Sequence, residues 1–103
     1  MEQKVKDFNN NRMCHQNSMP VYARILDIQS ELGELAKEYL NNSKYGTGDF
    51  CLSEEFELEY GDVMYSLLSL AQELDLSSEK CVDKVLQKYQ KRIDKNKSMG
   101  SEN

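Results

Sequence analysis

The chain has 103 residues, of which 18 are acidic and 13 basic, so its formal net charge at pH 7 is -5. This length predicts one domain with a modest core, and the acidic balance argues against binding to polymeric nucleic acid or to an anionic membrane surface. No apolar run approaches the roughly 20 residues of a transmembrane helix, and the N-terminus lacks the apolar region of a signal peptide, so we predict a cytoplasmic protein.

Helical periodicity begins near the N-terminus. Val5 and Phe8 predict a short helix ahead of the polar run 9–11. The first long helix is expected to start at Pro20, because proline fits the first helical turn, and to end near the polar residues 41–43. Between these limits the apolar residues recur at steps of four and three, which is typical of a helix packed on a core. They are Val21, Ile25, Ile28, Leu32, Leu35 and Tyr39.

An acidic stripe follows the same helix one position away from the apolar one. It contains Asp27, Glu31, Glu34 and Glu38. Residues three or four apart share a helix face, so Glu31 and Glu34 are expected to direct two carboxylates toward one spot beside the core.

A second acidic doublet lies on the next predicted helix. A glycine-containing loop at 44–49 separates the helices, and Ser53 is the predicted N-cap of the second one. Glu59 and Asp62 are again three apart, at the margin of an apolar stripe. That stripe consists of Tyr60, Met64, Leu67, Ala71 and Leu74.

The third long helix is expected after a break at 75–78. Val82, Val85, Leu86, Tyr89 and Ile93 form its apolar stripe. Its other face is basic, and Lys84, Lys88 and Arg92 lie four apart on it, a spacing suited to gripping a phosphate chain. Residues 97–103 are expected to form a frayed tail.

These patterns predict an all-α domain spanning 1–103, with its core at about 18–96 and three to four helices packed as a bundle. No sustained alternation of apolar and polar residues indicates a strand. Leu40, Leu68 and Leu70 lie outside the main stripes, and this apolar surplus predicts that dimerisation completes the bundle, in a homodimer or homotetramer.

The two doublets predict a metal site. Glu31, Glu34, Glu59 and Asp62 would gather four carboxylates if their helices packed antiparallel, and such a cluster repels itself unless a cation neutralises it. Oxygen ligands favour a hard divalent ion, so we predict Mg²⁺, with Mn²⁺ as a substitute. Gly33 and Gly61, inside the doublets, are expected to permit close approach of a helix or a ligand.

The motifs Ser30–Ala36 and Glu59–Tyr65 together resemble the ExxE...ExxD signature of the MazG-like nucleotide pyrophosphohydrolases, an all-α superfamily. The resemblance extends over about residues 21–93 and includes the basic third helix. It implies Mg²⁺-dependent hydrolysis of a nucleoside triphosphate between its α and β phosphates, giving a monophosphate and pyrophosphate. In many members a further glutamate precedes the first motif, and here that position is Ser30.

The predicted roles are as follows. Glu31, Glu34, Glu59 and Asp62 bind metal, and one of the glutamates also orients the attacking water. Lys84, Lys88 and Arg92 bind the substrate phosphates. Two alternatives are open at this stage: a helical interaction module without catalysis, and a pyrophosphohydrolase of another nucleotide, such as a phosphoribosyl-nucleotide.

Overall fold

The computed structural model describes residues 1–12 and 20–98, and within these residues the chain is entirely helical, without a strand. The four helices are α1 (Glu2–Arg12), α2 (Val21–Asn41), α3 (Glu54–Glu73) and α4 (Ser78–Ser98). The predicted all-α fold class is confirmed, including the short N-terminal helix.

The helix ends follow the predicted signals closely. Pro20 is the N-cap of α2, one position before the first helical turn in which it was expected. Ser53 caps α3, where its hydroxyl accepts a hydrogen bond from the Phe56 amide at 3.1 Å. α4 continues to Ser98, so residues 97 and 98 are helical and not part of a frayed tail. The remainder of that predicted tail, 99–103, lies outside the described residues.

α2 and α3 form an antiparallel pair that is fastened at both ends. Near the start of α2, Arg24 forms an ion pair of 3.1 Å with Glu73 at the end of α3. At the opposite end, Asn42 Nδ2 donates a 2.8 Å hydrogen bond to the hydroxyl of Ser53. Phe50, in the connecting loop, stacks on the Tyr39 ring at a centroid distance of 4.8 Å. These contacts set the register of the two helices.

α1 lies against α3 and is held mainly by polar side chains. Asn9 Nδ2 donates to Ser69 Oγ at 3.0 Å and to Gln72 Oε1 at 2.9 Å, while the Tyr65 hydroxyl donates to Asn9 Oδ1 at 2.5 Å. The Phe8 ring meets the Tyr65 ring edge to face. The asparagines that were expected to follow the helix are therefore part of it, because Asn9 finds partners on α3.

The predicted apolar stripes are only partly buried. Ile28, Val63, Leu68 and Ala71 form the buried apolar core of the described residues. Leu67 is 43% exposed, and several other stripe residues are comparably open. Within one chain, the predicted stripes therefore supply the core with only some of their residues. The reason is geometric: a face this wide needs neighbours on two sides, and α2 and α3 cover only one side of each other.

α4 leaves the body formed by the other three helices. It does not pack along α2 or α3, and every described side chain from Glu79 onward is exposed. The Cα radius of gyration is 18.2 Å and the longest dimension is 58 Å, whereas a compact domain of this size has a radius of gyration of about 13 Å. Within the described residues, none of the helices is long and apolar enough to cross a membrane.

Candidate carboxylate site

The two acidic doublets lie on the two helices that pack together. Glu31 and Glu34 are on α2, and Glu59 and Asp62 are on α3. The contacts at the two ends of the pair make the helices antiparallel and bring the middle of α2 alongside the middle of α3. Helical spacing then keeps each doublet on one face, so both doublets border the same stretch of the α2–α3 seam.

Electrostatic coupling shows that the four carboxylates share one neighbourhood. Partial burial raises the pKa of Glu31, and the charges of Asp62, Asp27 and Glu34 raise it further. The pKa of Glu59 is also raised, first by burial and then by Asp62, Glu34 and Glu31, with a hydrogen bond to Asp62 adding to the effect. The charged groups that perturb Glu31 and Glu59 are all acidic, and their repulsion makes each of the two carboxylates hold its proton more tightly.

Asp27 belongs to the same acidic neighbourhood, although the sequence-based site did not include it. It lies one turn before Glu31, is half-buried, and contributes to the raised pKa of Glu31. Its spacing of four from Glu31 was a usable signal, because residues i and i+4 are neighbours on a helix. Asp27 thus places a third carboxylate on α2 next to the doublet, whereas Ser30 provides none.

The carboxylate cluster is open in this conformation. In residues 1–12 and 20–98, no three acidic, histidine or cysteine side chains converge closely enough to hold one ion. Glutamate side chains on exposed helix faces can rotate between staggered rotamers at low cost. The donor set is nevertheless all oxygen and strongly acidic, which is the chemistry that a hard divalent cation requires. The residues therefore have the type of ligand atom that Mg²⁺ prefers, but their side chains would have to rotate to enclose the ion.

Gly33 and Gly61 lie inside the doublets and face open space. A Cβ atom built at either position would meet no heavy atom within 4 Å. The close helix contact that could have explained these glycines is therefore absent from the described chain. Both positions leave room beside the carboxylates.

The predicted phosphate-binding residues are not near the carboxylates of their own chain. Lys84, Lys88 and Arg92 lie on α4, which does not pack along α2 or α3, and all three are exposed. The Lys88 ammonium lies 5.8 Å from the centre of the neighbouring Tyr89 ring. One chain therefore brings the four acids together but holds the basic face apart from them.

The chain has a sequence relative among known proteins. The chain is 38% identical over 73 residues to the uncharacterized protein YpjD of Bacillus subtilis, a region that covers 68% of the chain and 64% of YpjD. The aligned region thus spans a little under two thirds of that relative. No protein-family model matches the chain.

A comparison of structures also finds YpjD. The crystal structure of the putative pyrophosphatase YpjD from Bacillus subtilis superposes with a TM-score of 0.70 and 28% sequence identity, over 85% of the chain and 89% of YpjD. The chain therefore shares the all-α fold of the YpjD structure. The resemblance to the MazG-like superfamily that the two acidic motifs predicted is confirmed as a structural similarity to YpjD, a MazG-like all-α protein.

Proposed function

We propose that this MazG-like chain is a Mg²⁺-dependent nucleotide pyrophosphohydrolase. It would cleave a standard or non-standard nucleoside triphosphate between the α and β phosphates, releasing a monophosphate and pyrophosphate in the cytoplasm. The observation that carries the proposal is the coupling of two carboxylate doublets across the α2–α3 seam, which raises the pKa of both Glu31 and Glu59. The similarity to YpjD, described as a putative pyrophosphatase, supports the same class of reaction.

Because the site is acidic, it can bind a triphosphate only when a cation neutralises the negative charges. A triphosphate is strongly anionic, and a cluster of four carboxylates repels it. Glu31, Glu34, Glu59 and Asp62 would hold Mg²⁺, with Mn²⁺ as a substitute. When bound, the metal supplies charge neutralisation for the carboxylates and for the phosphate oxygens.

The chain's own residues would perform the remaining tasks. One of the glutamates accepts a hydrogen bond from the attacking water and takes its proton as the water adds to phosphorus. Lys84, Lys88 and Arg92 would contact the phosphate chain. Because α4 leaves its own body, these three residues would do so at the carboxylates of a second copy. The open space beside Gly33 and Gly61 gives the substrate access to the acids.

The direct test is a panel of nucleoside triphosphates and phosphoribosyl-nucleotides incubated with the protein and Mg²⁺. We expect pyrophosphate as the product from at least one triphosphate, and the monophosphate in equal amount. Orthophosphate as the sole product would contradict cleavage between the α and β phosphates. If the protein turned over only phosphoribosyl-nucleotides, these would be its substrates, as in the alternative stated above.

The competing function is a helical module that binds a partner and has no catalytic role. The open apolar stripe of α4 is the observation that favours it. A metal-dependent rise in melting temperature separates the two, because only a chain that binds Mg²⁺ in its folded state is stabilised by the ion. The interaction module predicts the same melting temperature with and without Mg²⁺.

A further inference from the structure

A short turn, residues 74–77, joins α3 to α4. Asp75 has a φ of 55°, in the left-handed region, and its amide donates to the Gln72 carbonyl oxygen at 3.2 Å. The Leu76 amide donates to the Ala71 carbonyl oxygen at 2.8 Å. These two bonds form a Schellman motif, which ends α3. The direction in which α4 starts therefore depends on the backbone angles of a few residues.

α4 acts as a long lever on this turn. It has 21 residues, and within the described chain it does not pack along α1, α2 or α3. Arg92 lies about 21 Å from Ser78 along the helix axis, since each helical residue adds about 1.5 Å. A rotation of about 20° at the turn would thus displace Arg92 by about 7 Å, far more than a hydrogen-bond distance. The position of the basic face depends on what fixes the start of α4.

The start of α4 is capped by a side chain from another helix. The Glu2 carboxylate, in the first turn of α1, accepts a 2.7 Å hydrogen bond from the Ser78 amide. The first amides of a helix have no partner inside the helix, and the helix dipole favours an anion beside them. The Ser77 hydroxyl accepts a separate bond from the Lys80 amide at 3.2 Å. The turn and α1 therefore cap different amides of α4.

The C-terminal part of α1 is fixed to α3, the helix from which the turn departs. Asn9 donates hydrogen bonds to Ser69 and Gln72 and accepts one from the Tyr65 hydroxyl. The Phe8 ring contacts the Tyr65 ring edge to face. Ser69 is buried, so this anchor lies within the body of the chain.

α1 thus connects two points on either side of the turn. Glu2 and Asn9 are about 10 Å apart along α1. An open cleft of about 450 Å³ lies between the start of α1 and residues 75–77. Two fixed points with a cleft beside the turn are the geometry of a brace, since they restrain the angle between α3 and α4.

From these contacts we infer that α1 is a brace, anchored to α3 through Asn9 and to α4 through Glu2, which sets the direction in which α4 leaves the body. Glu2 is then a positioning residue, because it acts through the basic face that contains Lys84, Lys88 and Arg92. This consequence for phosphate contact rests on the proposed function. The brace itself does not, and it can be tested without any enzymatic activity.

The first test is hydrogen exchange at single amides of the full chain, measured by NMR. Because the Ser78 amide has no acceptor inside α4, its protection reports the Glu2 contact. Glu2→Ala should accelerate exchange at Ser78 by about 10-fold or more, as expected for loss of a hydrogen bond to a charged group. Exchange at Lys80, which is bonded to Ser77, should change much less. Glu2→Gln keeps an acceptor oxygen and should retain part of the protection.

Two results of this test would overturn the inference. Exchange at Ser78 that is the same in the parent chain and in Glu2→Ala would show that the contact is not made. An equal acceleration at Ser78 and Lys80 would show general fraying of α4 instead of loss of one bond.

The second test measures the direction of α4 as a distance between two spin labels. One label is attached to Cys51 and the other to Lys91→Cys on α4, both exposed positions, with Cys14→Ser and Cys81→Ser to prevent labelling elsewhere. An excess of unlabelled chain ensures that each distance is measured within one chain. The chain with Glu2 should give a narrow distribution of distances, and Glu2→Ala should broaden it by several ångström.

Gln3→Ala is the matched control for this distance. The Gln3 side chain donates to Asp7 at 2.9 Å, so the substitution removes a hydrogen bond within α1 and none to α4. Gln3→Ala should therefore leave the distance distribution unchanged. The brace is refuted if Glu2→Ala keeps the narrow distribution, or if Gln3→Ala broadens it equally.

Pyrophosphate release separates the brace from the proposed function. In an active chain, Glu2→Ala should raise KM with a smaller effect on kcat, because the basic face is displaced while the carboxylates stay in place. An unchanged KM would overturn the positioning role of Glu2. A parent chain that releases no pyrophosphate, combined with the expected distance changes, would contradict the proposed function and support the brace.

Discussion

Replacing Glu31 with glutamine is expected to stabilise the metal-free protein. Asp27 and Glu34 lie four and three residues from Glu31 on α2, and both raise its pKa. Each like-charge pair at such spacing on an exposed helix costs about 0.2–0.5 kcal/mol, so neutralising Glu31 should raise the free energy of unfolding by about 0.4–1 kcal/mol at low salt. For a domain of this size that corresponds to a rise in Tm of roughly 2–8 °C.

The same substitution should weaken stabilisation by Mg²⁺. At a metal concentration of 100 times Kd, a one-site ion stabilises the parent protein by about 2.7 kcal/mol. Glu31→Gln removes one proposed ligand, so its Tm should respond much less to the same concentration of Mg²⁺. The substitution thus raises the Tm of the metal-free protein and lowers that of the metal-saturated one, relative to the parent.

The pH dependence of the metal-free protein should also change. Because the folded-state pKa of Glu31 and Glu59 lies above the usual value of 4.5, the folded chain binds these protons more tightly than the unfolded chain does. Their contribution to stability is therefore fully present below about pH 4.5 and is lost as the pH rises through the folded-state pKa values. Glu31→Gln should flatten this decline.

The assay is thermal unfolding by circular dichroism from pH 4 to pH 8, with EDTA or with Mg²⁺. Asp49→Asn is the matched control, since it removes one negative charge from an exposed loop residue that is not among the groups perturbing Glu31 or Glu59. A lower metal-free Tm for Glu31→Gln would refute the repulsion argument. An undiminished response to Mg²⁺ would refute the role of Glu31 as a ligand.

Three further predictions concern the site and its supports. Glu34→Gln should reduce kcat by at least 100-fold in the pyrophosphate release assay while leaving the circular dichroism spectrum unchanged. Substantial residual turnover would show that Glu34 is not part of the site. Gly33→Ala should raise the free energy of unfolding by about 0.5–1 kcal/mol in urea titrations, because a Cβ there meets no neighbour; destabilisation would reveal a contact made in the assembly. Asn9→Ala should lower stability by about 1–3 kcal/mol, since Tyr65, Ser69 and Gln72 lose their shared partner; an unchanged unfolding midpoint would show that α1 contributes little.

The open apolar faces explain why burial could not be predicted one helix at a time. The spacing of Ile25, Ile28 and Leu32 predicts one continuous core stripe, yet only Ile28 is buried in the chain. Periodicity reports which residues share a face, but it carries no information about which molecule covers that face. Leu86 on α4 shows the same limit, since no described helix of the chain packs along the predicted stripe to which it belongs.

Local signals in the sequence determined the helices and the pairing of acids within each doublet. Proline and serine at the N-caps, and apolar steps of three and four, act over a few residues and do not depend on the rest of the fold. Only the tertiary structure decided that the two doublets border the same stretch of the α2–α3 seam and that Lys88 is held away from them. Those relations depend on helix register and on the direction in which α4 leaves the body, and both are fixed by contacts between residues distant in sequence, such as Arg24 with Glu73.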